Sequence, residues 1–279
     1  MQPVFRFAPS PNGHLHLGHA FSALLNARMA AEKGGRFLIR FEDIDTSRCT
    51  DALMADCLAD LAWLGLAWEE PVLRQSTQFA RYRAAADDLA ARGLAFRCAC
   101  TRGDIQKAAG DNPPRDPDGA ILYPGTCSRG DRRHHPAGEG PYALRLDSRA
   151  AIATLSGPLH WRETGEGAEQ AISADPAIWG DVVLIRKDVP ASYHLAVVLD
   201  DAMQGVTHVV RGRDLHTATA IHRLLQSLLG LPAPVYHHHA LILDEEGRKL
   251  SKSSLSTPLR QLRAEGVMAS EIRQRLGFG

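Results

Sequence analysis

Val4-Phe5-Arg6-Phe7-Ala8-Pro9-Ser10-Pro11-Asn12-Gly13-His14-Leu15-His16-Leu17-Gly18-His19 decides how this chain is read. Val4 to Ala8 predicts a strand, and Pro9 to Gly13 breaks it. An apolar-rich helix is then predicted from about His19 to Lys33, stopping at Gly34-Gly35. Phe37 to Phe41 is a second strand, ending in the acidic turn Glu42-Asp43-Ile44-Asp45. Strand, helix and strand make a βαβ unit, with parallel strands and a right-handed crossover. A helix that opens straight after a strand gathers unpaired amides and positive partial charge, which suits phosphate. His16 and His19 are three residues apart and share a helix face, and Gly18 lets a flat ring approach the backbone. By spacing alone, a helix cap with surface histidines fits equally well.

Outward from this unit, helices are predicted at about 51–64, 78–92, 193–203 and 216–229. Strands are predicted at 94–97, 142–146, 182–185, 206–210 and 239–243. Residues 101–141 are rich in Gly, Pro, Asp and Arg and read as a loop-rich insertion with core chain on both sides. The fold class is therefore α/β, a doubly wound parallel sheet with an insertion between its halves.

The 279 residues suffice for such a domain without disulfide staples. A content of 44% hydrophobic and 23% charged residues excludes a disordered chain. Equal numbers of basic and acidic residues, 32 of each, exclude a strongly basic nucleic-acid coat. A local basic face from Arg129, Arg132, Arg133, Arg145 and Arg149 is as plausible as a solvated surface. No apolar run approaches membrane-spanning length, and the first eight residues are too short and charged for a signal peptide. Five cysteines, an odd number including Cys98-Ala99-Cys100, fit a reducing compartment and a metal site. A cytoplasmic protein with no membrane association is expected. Oligomeric state is not legible, and a monomer is the default.

Gly247-Arg248-Lys249-Leu250-Ser251-Lys252-Ser253 reads as an exposed loop after a strand. Two ammonium groups there suit a polyphosphate whose charge shifts toward leaving pyrophosphate. Alone, a solvated basic loop is the simpler reading. Together, His16-Leu17-Gly18-His19 and Lys249-Leu250-Ser251-Lys252-Ser253 resemble the two signature motifs of class I aminoacyl-tRNA synthetases. Arg6 to Pro11, Arg40 to Asp45, Tyr193 to Asp201 and Thr207 to Gly212 resemble the glutamyl-tRNA synthetase catalytic domain in order, over about residues 3–255.

That resemblance implies a Rossmann-type class I synthetase core. Its first half would be residues 1–97, a zinc-binding insertion 98–141, its second half 142–255, and a short helical tail 256–279. Only 26 residues follow Ser253, too few for the helical anticodon-binding region of glutamyl-tRNA synthetases. The chain therefore resembles that family's short branch, which glutamylates queuosine in tRNA(Asp). Arg211-Gly212-Arg213-Asp214-Leu215 leans the same way.

The branch implies a structural Zn²⁺ on Cys98, Cys100, Tyr123 and Cys127, a donor set suited to tetrahedral zinc. A packed hairpin must carry Tyr123 back across the 22 residues after Cys100. Cys49 and Cys57 fall outside the pattern, and Cys57 reads as core. Further implied are ATP with Mg²⁺ at His16, Gly18, His19 and Lys252, with His16, His19, Lys249 and Lys252 as catalytic groups. L-Glutamate would lie on Arg6, Ser10, Glu42, Tyr193 and Arg211: two guanidiniums for its carboxylates, one carboxylate for its ammonium, and hydrogen bonds from the two hydroxyls. Asp200-Asp201 and His237-His238-His239 read as structural, as helix N-terminal charge or strand-edge residues. Successive strand residues face opposite ways, so the histidine run is a poor chelate. Competing readings are a synthetase core charging a tRNA 3′ end, an inactive RNA-binding or glutamate-sensing paralogue, and a small-molecule adenylyltransferase.

Overall fold

A computed structural model describes residues 2–128, 140–165, 167–242 and 257–279. Strand β1 (Val4–Phe7) leads to helix α1 (Leu17–Glu32) and back to β2 (Arg36–Phe41). β1 and β2 are parallel, in the register Val4↔Arg36 to Phe7↔Ile39, as the βαβ reading requires. α1 turns Ala20, Ala23, Leu24 and Ala30 inward, and its buried Asn26 donates to the carbonyls of Ser22 and Val210. α2 (Asp51–Trp63), capped by Thr50, leads to β3 (Glu69–Arg74), parallel to β2. α3 (Phe79–Ala91) leads to β4 (Ala95–Cys98). Then come α4 (Arg102–Ala109), β5 (Ala143–Leu146), α5 (Ser148–Ala153), β6 (Leu159–Glu163), β7 (Gln170–Ala174) and β8 (Val183–Ile185). α6 (Tyr193–Met203), β9 (His208–Gly212), α7 (Thr219–Leu228) and β10 (Val235–His239) complete the core. α8 (Leu259–Ala264) and α9 (Ala269–Arg275) close the chain, and Leu259, Ile272, Leu276 and Phe278 pack into the core between α1 and α2.

The main sheet runs β3-β2-β1-β9-β10-β6-β7, and β4-β5-β8 forms a separate sheet. All neighbours in the main sheet are parallel except the β6–β7 hairpin. The chain winds outward from β1 through β2 to β3, then resumes on the other side of β1 with β9 and β10. Helices leaving β1 and β9 therefore diverge, and a crevice opens past Phe7 and Gly212, where doubly wound sheets hold ligands.

Several expectations need correction. The strand placed at 239–243 is β10 at Val235–His239, an interior strand, so the three histidines do not lie on a sheet edge. Residues 101–141 hold α4, nucleated by a reciprocal Thr101–Asp104 cap. β3, β6 and β7 go unannounced because their charged and short residues lack a continuous apolar alternation.

Asp200 and Asp201 sit in the last turn of α6, fully and almost fully buried, not at a helix N-terminus. Asp201 accepts from Arg6 Nε at 3.0 Å and Nη2 at 3.3 Å, and from Arg40 Nη1 at 2.7 Å. It thus ties α6 to β1 and β2 at once. Burial pushes the Asp201 carboxyl up, but the two guanidiniums outweigh it and hold it below the usual aspartate range. Burial also works against charged Arg40, yet Asp201, Glu42 and Asp200 together raise its pKa. Asp200 accepts from Gln75 at 2.8 Å and Tyr82 at 2.7 Å, and also pairs with Arg81.

Asp201→Asn leaves two buried cations short of an anion, and a loss of about 3–5 kcal/mol is expected in urea denaturation at neutral pH. A carboxyl lowered in the folded state stabilises above its unfolded pKa of about 4 and loses that contribution as pH falls through the folded value. The gap between wild type and variant should therefore narrow on acidification below about pH 4.

Candidate active site at the sheet switch point

The crevice past β1 and β9 is a cavity of about 610 Å³. It gathers Arg6 from β1, Ser10 from the following turn, His16, Gly18 and His19 from the start of α1, Glu42 from the end of β2, Tyr193 from α6 and Arg211 from β9. These eight residues come from the five stretches 6–11, 16–19, 40–45, 193–201 and 207–212, far apart in sequence. Lys249 and Lys252 lie outside the described residues, as do Arg129, Arg132 and Arg133.

The start of α1 is held by its own histidines. His16 is the N-cap, and its Nδ1 accepts from the Gly18 amide at 3.1 Å. The Nδ1 of His19 accepts from the His16 amide at 3.2 Å, and the rings lie 3.9 Å apart. This is a capping box built from imidazoles. Each Nδ1 must carry a lone pair, so in the neutral ring the proton resides on Nε2. A Cβ at Gly18 would meet the His16 ring at 3.1–3.2 Å. The His16 ring thus lies directly against this glycine.

Opposite, Glu42 accepts from Arg40 at 3.3 Å. Burial raises its pKa, with Arg40 and Arg6 pulling the other way. Tyr193 stands at the start of α6, and burial pushes its phenol up to about 12. The two cavity arginines differ. Arg6 is already paired with Asp201. Arg211 is almost fully buried, and among the described residues no carboxylate stands within ion-pair distance of it. Its guanidinium donates to His238 at 3.1 Å, Tyr193 at 3.4 Å, His222 at 3.3 Å, the Leu215 carbonyl at 3.1 Å and Thr219 at 2.8 Å. Asp201, Arg40, His222, His238 and Glu163 escaped sequence reasoning. Arg40 lies in the 40–45 motif without a role of its own, and the Asp200-Asp201 and triple-histidine runs read as structural, as helix N-terminal charge or strand-edge residues.

At the far end of β4, Cys98, Cys100 and Cys127 place their sulfurs within 4.8 Å of one another. Tyr123 Oη lies 3.4 Å from Cys98 Sγ and 3.6 Å from Cys100 Sγ, and Cys100 and Cys127 sulfurs are 3.5 Å apart. An antiparallel bridge Arg115↔Ile121 and a turn on Asp116 return the chain to Tyr123. Burial and the two neighbouring thiols push the Cys100 thiol up to about 12. Burial also opposes ionisation of Cys98, but hydrogen bonding with Tyr123, the Cys100 backbone and Arg145 prevails and lowers it. Arg145 stacks 4.2 Å over the Tyr123 ring and donates to the Asp181 carbonyl, so it braces this cluster from within. Cys57 is core, as expected.

Fold and cavity define a class I synthetase core of Rossmann type. The family of class I tRNA synthetases (E and Q), catalytic domain, matches residues 4–277, and the chain belongs to it. It is a ligase of the aminoacyl-tRNA synthetase type. A glutamyl-Q tRNA(Asp) synthetase of Rhodobacter capsulatus is 49% identical, over 99% of this chain and 100% of the relative. A glutamyl-Q tRNA(Asp) synthetase of Thiobacillus denitrificans is 41% identical, over 96% of this chain and 84% of the relative. Among solved structures, a glutamate tRNA ligase from Elizabethkingia meningosepticum in complex with its amino acid is similar at a TM-score of 0.72 and 26% identity. That match covers 90% of this chain and 52% of the ligase, so the chain spans about half of the ligase's length. No helix among the described residues is long and apolar enough to cross a membrane.

Gly18→Ala tests the imidazole cap. Alanine in a helix ordinarily gains up to about 1 kcal/mol over glycine. Here the His16 ring is pinned by its bond to the residue 18 amide and cannot retreat without lengthening it. A net loss of about 1–2 kcal/mol in thermal denaturation is expected.

Proposed function

We propose that this enzyme activates L-glutamate with ATP and transfers it to the queuosine base at the anticodon wobble position of tRNA(Asp). One observation carries the reading: a buried guanidinium, Arg211, without a carboxylate partner among the described residues, in the same cavity as Glu42 and a histidine-capped helix start. The names of the full-length relatives supply the acceptor.

In the first step a glutamate carboxylate oxygen attacks the α-phosphorus of ATP. The bond to the bridging oxygen breaks and pyrophosphate leaves, so no covalent enzyme intermediate is required. His16 and His19 donate to phosphate oxygens beside the α1 N-terminus. Gly18 keeps that approach narrow, and Lys252, supported by Lys249, neutralises the departing pyrophosphate. Mg²⁺ accompanies the nucleotide and screens its phosphates. Arg211 holds one substrate carboxylate, with Tyr193 beside it. Glu42 receives the ammonium, and Arg6 and Ser10 complete the amino-acid pocket. In the second step a hydroxyl of the queuosine cyclopentenediol attacks the activated carbonyl and AMP leaves. A monomer working in the cytoplasm fits a site assembled within one chain.

Cys98, Cys100, Tyr123 and Cys127 fit a structural Zn²⁺. Three sulfurs and one oxygen converge, and the 3.5 Å sulfur separation is close to the roughly 3.7 Å that tetrahedral bonds of about 2.3 Å imply. Elemental analysis of chelator-free protein is expected to give about one zinc per chain. Cys127→Ser should lower that content and the thermal stability together.

The acceptor is tested with labelled glutamate and tRNA(Asp) from cells with and without queuosine. Label is expected only on the queuosine-containing tRNA. Equal labelling of both, or labelling of a tRNA(Glu) 3′ end, would overturn the queuosine reading in favour of ordinary charging.

A further inference from the structure

We infer that His238, backed by Glu163, is a positioning residue that aims Arg211 while leaving its positive charge for the substrate. This rests on the proposal that Arg211 binds a glutamate carboxylate.

Three neighbouring parallel strands build the arrangement. Arg211 on β9 is the cross-strand partner of His238 on β10, and Glu163 at the end of β6 pairs with Tyr236 of β10. A guanidinium can only donate hydrogen bonds. The Arg211 Nε contact at 3.1 Å therefore requires a lone pair on His238 Nε2. The proton of His238 must then sit on Nδ1, which faces Glu163 Oε2 at 2.6 Å. Glu163 is itself fixed by the His238 amide at 2.9 Å, the Gly165 amide at 3.1 Å and the Trp161 indole at 3.1 Å. The result is a directed chain: carboxylate, neutral imidazole, guanidinium.

The same logic holds on the other nitrogen. Arg211 Nη1 donates to His222 Nδ1, so His222 carries its proton on Nε2 and gives it to His194 Nδ1 at 3.1 Å. Burial lowers the pKa of His194 to about 4 and that of His222 well below the usual value. Burial likewise lowers His238, to about 4, although Glu163 pulls it upward. Hydrogen bonds from His238 outweigh burial at Glu163 and bring it down to about 2. Near neutral pH the carboxylate is charged and all three rings are neutral.

An interposed ring changes what the carboxylate does. In direct contact, Glu163 would form a closed ion pair with Arg211 and compete with any ligand carboxylate. One imidazole away, it polarises His238 and orients the guanidinium, but leaves the Arg211 charge without a contact anion among the described residues. Glu163, His216 and His238 also place ligand atoms within 4.8 Å of one another. A metal there would have to break the Glu163–His238 bond and sit beside a buried cation, so the relay accounts better for the cluster.

The test uses the full chain, glutamate-dependent pyrophosphate exchange and two variants that split the ring's roles. His238→Gln keeps an acceptor near the Nε2 position, and His238→Asn keeps only a donor near Nδ1. His238→Asn is expected to raise the glutamate KM at least about tenfold with the ATP KM unchanged, by analogy with supporting residues behind metal ligands. His238→Gln should stay within about threefold of wild type. Equal effects of both variants, or a parallel rise in both KM values, would overturn the relay. Should His238→Asn fail to fold, nitrogen-15 NMR of wild-type histidines decides: a proton on His238 Nδ1 supports the relay, and one on Nε2 overturns it. Arg211→Met separates the two readings. If it leaves the glutamate KM unchanged, the glutamate site itself is misplaced. If it abolishes glutamate dependence while both His238 variants behave as wild type, only the relay fails.

Discussion

Asp201 grips two guanidiniums from neighbouring strands, and the cavity depends on that grip. Arg6 and Arg40 project from β1 and β2, while Asp201 comes from the end of α6, 195 residues away from Arg6 in sequence. Three elements meet in one buried ion cluster. Such a cluster is a weak source of net stability, since desolvation offsets most of the attraction. Its value lies in geometry. With Asp201 removed, the buried arginines would have to seek other anions, and Glu42 is nearby. The Arg40–Glu42 contact at 3.3 Å shows how close that competition is. Asp201 thereby keeps Glu42 from being drawn fully into the wall.

The sheet topology explains why so few residues suffice. Reversal of strand order between β1 and β9 opens one crevice, and the ends of β1, β2 and β9 all reach it. Arg6, Glu42 and Arg211 are thus near neighbours by topology, with no long loop needed to bring them together. The imidazole capping box adds a rigid edge at the start of α1. Ordinary caps use Ser, Thr, Asp or Asn, which satisfy the orphan amides with oxygen. Histidine at both cap positions satisfies them with nitrogen instead.

Legibility in the sequence followed the range of the interactions. The β1–α1–β2 unit was readable because strand, break and helix are each local patterns. α6 was readable to the residue, since Ser192 caps an unbroken apolar run. β6 and β7 were not, because Leu159-His160-Trp161-Arg162-Glu163 and Gln170-Ala171-Ile172-Ser173-Ala174 carry weak intrinsic signals and are stabilised by pairing with each other and with β10. β10 was displaced because three histidines look like solvent-facing residues. They are tolerated inside the sheet because Thr164, Glu163 and the Ala240 carbonyl each meet the Nδ1 of one ring. The residues lining the cavity could be named from motifs, but their partners could not. Arg6 to Asp201 and Arg211 to His238 are contacts of tertiary structure, and periodicity does not encode them.

The partners also distinguish the two arginines, which sequence treats as equivalent. Arg6, Arg40, Glu42 and Asp201 carry two positive and two negative charges within one hydrogen-bonded group. That side of the cavity is balanced before any ligand arrives. A ligand ammonium set against Glu42 would add one positive charge there, which a nearby α-carboxylate would offset. The other side holds Arg211, which has no carboxylate within ion-pair distance among the described residues and meets Glu163 only through His238. A second ligand carboxylate, with no ammonium of its own, is the group that side lacks. On the proposed reading the zwitterionic end of glutamate therefore belongs with Arg6 and Glu42, and the side-chain carboxylate with Arg211. A neutral carboxamide in that position would leave Arg211 as a buried cation without a counter-charge, the most costly arrangement available to the site.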